Sequence, residues 1–222
     1  MMNENPKWIS ILEKKIGWFS LPNLALYLIV LQIFGLIISV IEPAVLGKLV
    51  LDPEKILAGE YWRLITFLGI PGVQINESFF SYIFTAFFLM FLFFIINTLE
   101  QNWGEFKTTL YLFISVIMTI AFSFLFNVPI GTFSDIEISL FLAVATLFPN
   151  VQILIFFFPL PLKYVIIPSV LIIIYHFFTG NMYYKIYVGF VYANYLLFFG
   201  PYYITSIKNK YRRWKYLKNS KK

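Results

Sequence analysis

The sequence predicts an all-α membrane protein built as a bundle of six transmembrane helices, with a short fourth helix and a long first loop. Of its 222 residues, 60% are hydrophobic, 21% aromatic and only 13% charged, against roughly 25% charged for a soluble domain. Mean hydropathy is +0.79. Apolar runs approaching the ~20 residues that cross a bilayer recur along the chain. Eight of the 17 Lys/Arg residues lie in 208–222, which holds no acid, leaving nine basic against eleven acidic groups elsewhere. A basic cluster directly after an apolar segment marks a cytoplasmic end and is drawn to anionic lipid; a nucleic-acid reader spreads its basic groups over a folded face. Nucleic acid is therefore not an expected partner.

Residues 1–20 place Trp8, Ile11, Leu12, Ile16, Trp18 and Phe19 among charges, the pattern of an interfacial helix. A membrane domain follows over 21–207 and a basic cytoplasmic tail over 208–222. Within the domain, apolar spans are expected at 24–41, 79–96, 108–126 and 186–204. The apolar stretch 136–178 is broken by Pro149-Asn150 and by Pro159, Pro161 and Lys163, so it divides into 136–148 and 162–178. The first of these reaches only about 20 Å at ~1.5 Å per residue, short of a hydrocarbon core of ~30 Å. With both termini cytoplasmic, Lys7, Lys14, Lys15, Lys107, Lys163 and the tail fall inside, and Lys48, Lys55, Arg63 and Lys185 outside, as the positive-inside rule requires.

The composition also excludes chemistry. There is no cysteine and a single histidine, so thiol redox chemistry and multi-His or cysteine metal sites are out; neither a metal nor a cofactor is expected. Polar groups near apolar segments are the default functional candidates. Ser134-Asp135-Ile136-Glu137 opens the short segment, where Ser134 and Glu137 have the spacing of a capping box and Ser134 is also a candidate nucleophile. His176, the single histidine, is the candidate base, though Tyr175, Phe177 and Phe178 around it form an aromatic belt. Trp62-Arg63 in the 42–78 loop joins an amphipathic ring to a cation and suits a headgroup boundary. Ser139/Ala143 and Gly189/Ala193 stand one helical turn apart, so the fourth and sixth segments are expected to pack together. An ion pathway is disfavoured, because Glu100, Asp135, Glu137, Lys163 and His176 all sit near segment ends and no inverted repeat is visible.

Three stretches carry a resemblance to the rhomboid family of intramembrane serine proteases. Gly59-Glu60-Tyr61-Trp62-Arg63-Leu64-Ile65-Thr66 is similar to the first-loop Trp-Arg motif, Leu99-Glu100 with Gly104 to the end of the second span, and Leu147-Phe148-Pro149-Asn150 with Pro161-Leu162-Lys163 to the segment joining spans four and five. The resemblance implies six spans, cytoplasmic termini and an active site below the outer surface. Its ungapped spacing puts Ser134 at the nucleophile, with Thr132 and Asp135 where the family has glycines. Tyr187 falls at the catalytic histidine, with Phe190 and Asn194 at that motif's glycines, and Phe84 and Phe88 fall at the oxyanion-side histidine and asparagine. A tyrosine is a poor base near neutral pH, and losing oxyanion donors costs on the order of 10²- to 10³-fold each.

The expected function is therefore that of a rhomboid-like pseudoprotease in a cell membrane, with a bacterial cytoplasmic membrane as its setting. It binds transmembrane segments of client proteins through Trp62, Arg63, Phe84, Phe88, Asp135 and Glu137. Glu100, Gly104, Ser139, Ala143, Gly189 and Ala193 are its structural positions, and lipids and client helices its partners. The alternative is an active serine endopeptidase using Ser134 with His176 as an unconventional base.

Overall fold

The computed structural model describes residues 7–72, 78–155 and 158–219; the first six and last three residues of the expected terminal segments, and 73–77 of the first loop, lie outside the described residues. Helix α1 spans Lys7–Ile16, α2 Leu24–Ile41, α3 Pro43–Leu46, α4 Pro53–Leu57, α5 Arg63–Thr66, α6 Phe79–Trp103, α7 Glu105–Phe126 and α8 Ser134–Leu147. A β-hairpin of β1 (Gln152–Ile155) and β2 (Phe158–Pro161) follows, then α9 Leu162–Val165, α10 Ile167–Thr179, α11 Met182–Val191 and α12 Ala193–Asn219. Among the described residues, four helical stretches are long and apolar enough to cross a membrane: Leu24–Ile41, Phe79–Trp103, Glu105–Phe126 and Leu162–Thr179. Two of the six expected spans fall short of that measure. Helix α8 has 14 residues, about 21 Å, and the sixth segment has an irregular turn at Tyr192 between α11 and α12.

Helix α8 is the centre of the bundle. It packs on α6, α7, α9, α11 and α12, and eight of its residues, from Ile136 to Ala145, are buried. A buried polar seam fastens it. The Tyr111 hydroxyl donates to the Ser139 carbonyl at 2.9 Å, Ser139 Oγ donates to Asn194 Oδ1 at 3.1 Å, the Asn194 amide donates to Ser115 Oγ, and Ser115 Oγ donates to the Tyr111 carbonyl at 3.0 Å. Around it, Trp103, Phe198 and Phe199 ring Tyr111 with centroids 5.1–6.3 Å apart. Polar side chains of this kind are retained between membrane helices because lipid offers no alternative partner.

The expected structural positions divide. Ser139 and Ala143 are fully buried, but Gly189 is exposed and a Cβ there would meet nothing within 4 Å. The hydrogen bonds that tie α8 to α11 and α12 come from Tyr187, Tyr192, Asn194 and Tyr195, and Gly189 forms no small-residue face with it. Glu100 caps α2 from a distance. Asn23, the residue before α2, is left-handed and gives no side-chain cap, so Glu100 accepts from Leu24 N–H at 2.7 Å and Ala25 N–H at 3.2 Å; a carboxylate at a helix N-terminus satisfies orphan donors and complements the dipole. Gly104, with φ 102° and ψ 147°, joins α6 to α7 in a conformation essentially confined to glycine.

Other sequence expectations shift in bounds. The span expected at 79–96 continues to Trp103 because Leu99 and Glu100 are buried and held. The stretch between Pro149 and Lys163 is an antiparallel hairpin in the register Gln152↔Pro161 to Ile155↔Phe158, so the all-α class needs this one β element. The basic tail continues α12 as helix to Asn219. The N-terminal segment packs against protein as well as offering an interface: Ile9 is fully buried and Trp8 meets Phe198 edge-on at 5.1 Å. The two glycines make opposite demands. Gly104→Ala is expected to cost about 1–3 kcal/mol of stability, whereas Gly189→Ala, in a helix interior with open space, stabilises by up to about 1 kcal/mol; thermal unfolding of the detergent-solubilised variants checks both.

Candidate functional site: a cavity at the start of the buried helix

The first loop is fastened to the segment that leads into α8. Leu51 and Ile130 exchange two backbone hydrogen bonds at 2.9 and 3.1 Å, and Phe133 N–H donates to the Ile70 carbonyl at 3.1 Å. At the loop's inner end Gly72 lies over Ser134: a Cβ on it would come within 2.6 Å of Ser134 Cβ and 2.9 Å of Glu137 Oε2. On the opposite side the same loop backs onto α2, where a Cβ on Gly35 would stand 1.8 Å from the Gly69 carbonyl oxygen. Both contacts need the missing side chain.

Arg63 is the loop's internal tie. It is only 2% exposed; its Nε donates to Glu60 at 2.6 Å and its Nη1 to the carbonyls of Gly47 and Val50 at 2.8 and 3.0 Å. The expected headgroup cation is therefore inside the loop, because three carbonyl and carboxylate acceptors converge there and satisfy a guanidinium fork. Trp62 keeps an outward position, 52% exposed, with its indole N–H donating to the Lys48 carbonyl at 3.2 Å.

Below this loop lies a cavity of about 450 Å³. Phe84, Phe87, Phe88, Phe91, Leu92 and Ile95 of α6 form one wall, Ser134, Glu137, Ile138 and Phe141 of α8 the floor, and Val165 and Ser169 the far side. Helix α6 packs on α2, α7 and α8, while α10 packs on α9 and α11; the cavity occupies the interval between α6 and α10. Helix α10 has no buried residue. Phe84 and Phe88 line the space without filling it.

The structure brings Ser134, Glu137, Phe84 and Phe88 together and separates the other candidates from them. Ser134 is the first residue of α8, with Phe133 before it as the cap position. One residue too far into the helix, its hydroxyl bonds Thr132 Oγ1 at 3.0 Å, and the Ser134/Glu137 capping box is not made. His176 is exposed, its ring tilted against Tyr175 and edge-on to Tyr184 with centroids 5.5 and 5.9 Å apart, and it makes no hydrogen bond to Ser134 among the described residues. Tyr187 donates to Asp135 Oδ2 at 2.8 Å, and Tyr192 to Asp135 Oδ1 at 3.4 Å. Asp135 thus faces the tyrosines of α11 and not the cavity. Glu137, 5% exposed, lines the cavity, and its Oε1 has no hydrogen-bond partner.

Sequence reasoning missed Tyr192, Asn194, Tyr111 and Gly72 as working positions. For the seam a signal existed: Tyr111, Ser115, Thr119 and Ser123 recur every four residues along α7, which puts four polar groups on one helical face. For Tyr192 and Gly72 no local pattern distinguishes them.

Two measurements follow from these contacts. Tyr187→Phe removes the shorter hydrogen bond to a largely enclosed carboxylate and is expected to cost about 1–3 kcal/mol; Asp135→Asn added to Tyr187→Phe recovers part of that loss, which a double-mutant cycle in thermal unfolding reads. Arg63→Met, which strands Glu60 and two carbonyls, is expected to cost about 3–5 kcal/mol, and Trp62→Ala no more than about 1.5 kcal/mol, read by urea or thermal unfolding in the same detergent. No protein-family model, no curated protein and no solved structure matches the chain, so the reading of this site rests on its own geometry.

Proposed function

We propose that this protein is a rhomboid-like pseudoprotease, a six-span membrane scaffold that holds transmembrane segments of client proteins in the interval between α6 and α10 without cleaving them. Four apolar helices support membrane residence; α8 as a half-depth element and α11 with the first half of α12 supply the other two spans. The distribution of Lys and Arg favours cytoplasmic termini, and a bacterial cytoplasmic membrane suits a chain of this plan.

The observation that carries the reading is a nucleophile-position serine without a base on the floor of an open apolar cavity. The Ser134 hydroxyl is engaged by Thr132, and the residue at the expected base position, Tyr187, spends its proton on Asp135. General-base catalysis needs hydrogen-bond reach to the proton removed, and no described residue offers it. Phenylalanines stand where the resemblance places the side-chain oxyanion donors, so those two donors to a tetrahedral intermediate are missing. What remains is recognition: a cavity within the ~300–1,000 Å³ range of ligand sites, walled by rings that favour apolar and helix-breaking segments.

A serine-directed fluorophosphonate is expected to label the folded, detergent-solubilised protein no more than it labels Ser134→Ala. Labelling that depends on Ser134 overturns the silent-scaffold reading in favour of an active endopeptidase.

A further inference from the structure

We propose that the cavity selects client helices that carry a basic side chain at mid-span, with the carboxyl group of Glu137 as the acceptor for that cation. This rests on the client-binding reading and names the chemistry it discriminates.

Glu137 is buried, lines the cavity, and has an Oε1 without a hydrogen-bond partner. A buried carboxylate oxygen without a donor is costly and calls for compensation. The fold supplies little. Among the described residues no basic side chain lines the cavity, and the ion pair between Arg63 and Glu60 belongs to the first loop. Lys163, past the hairpin, donates to Asn150 at 3.1 Å and lies over the Tyr164 ring. Two residues earlier, Asp135 adds a second carboxylate, already held by Tyr187 and Tyr192. Of the two carboxyl groups only Glu137 lines the cavity, and among the described residues no cation matches it there, in contrast to the polar seam beside it, where Ser139, Asn194 and Ser115 satisfy one another.

The walls suit the stem and head of a lysine or arginine. Phe84, Phe88 and Phe91 offer apolar surface to the methylenes, and ring faces attract a cation as it enters. A volume of about 450 Å³ takes a long side chain and some adjoining backbone, not a whole helix, so the client helix stays in the interval between α6 and α10 and only its side chain reaches the floor. A basic group at mid-span is unfavourable in lipid; leaving lipid for the Glu137 carboxylate relieves both partners at once.

The test uses the full-length protein in nanodiscs and single-span model helices of Leu and Ala with one central lysine, or norleucine in its place, each bearing a photo-crosslinker one turn away. Capture of the lysine helix is expected to exceed that of the norleucine helix by on the order of tenfold, the scale of a charge-assisted hydrogen bond, with crosslinks on α6 and α8. Glu137→Gln is expected to bring the two helices to equal capture. Phe88→Trp, which narrows the cavity and leaves the carboxylate, is expected to lower capture of both and keeps the test open if Glu137→Gln does not fold. Equal capture of the two helices by the natural protein, or an undiminished lysine preference in folded Glu137→Gln, overturns the selection. Failure of the folded protein to capture either helix overturns the client-binding reading itself.

Discussion

The organisation of this molecule depends on one helix being too short. Helix α8 has 14 residues, about 21 Å, against a hydrocarbon core of ~30 Å. A helix that stops short leaves irregular backbone at depth, and such backbone survives only where protein covers it or a cavity solvates it. The rest of the fold answers that demand. The first loop is stitched by backbone hydrogen bonds to Ile130 and Phe133 just before α8, Arg63 ties the loop internally, and Gly72 lets it close down on Ser134. The long first loop and the short fourth helix are two halves of one solution.

Within that solution, polar groups are used in two contrasting ways. The seam of Tyr111, Ser139, Asn194 and Ser115 is closed: each member donates and accepts within the set, so it fixes the rotation and depth of α8 against α7 and α12. Glu100 likewise is spent on the first turn of α2. Glu137 is not spent. Two carboxyl groups two residues apart on α8 meet opposite fates because the helical turn between them points one at the tyrosines of α11 and the other at the cavity. A closed network stabilises, and a buried acceptor left without a donor costs stability.

How far the sequence revealed this follows the range of the interactions. Helices set by continuous apolarity were legible, with α2 found at its observed bounds and α8 within two residues of its start. The break at Pro149 was legible as well, but the hairpin behind it was not, since Gln152–Pro161 reads as apolar chain and only pairing across the turn makes it a ribbon. Arg63 looked like a surface cation because the three acceptors that bury it lie three, thirteen and sixteen residues away in a loop without periodicity. The capping box failed by one residue: Ser134 is inside the helix where the motif needs it just outside. Gly189 obeyed a spacing rule that says nothing about which face meets a neighbour.

The same geometry separates possession of a serine from possession of a nucleophile. A hydroxyl becomes reactive when a base takes its proton and donors hold the oxyanion, and both conditions are set by neighbours, not by the serine. Here the neighbour across the helix interface is Tyr187, and its hydrogen bond runs to Asp135. That bond makes Asp135 tolerable in the interior and holds α8 to α11. Changing Tyr187 alone therefore disturbs packing before it affects chemistry. The aromatic wall is bound in the same way: Phe91 sits edge-on to Phe141 of α8 at 5.0 Å, so a ring that walls the cavity also joins α6 to the buried helix.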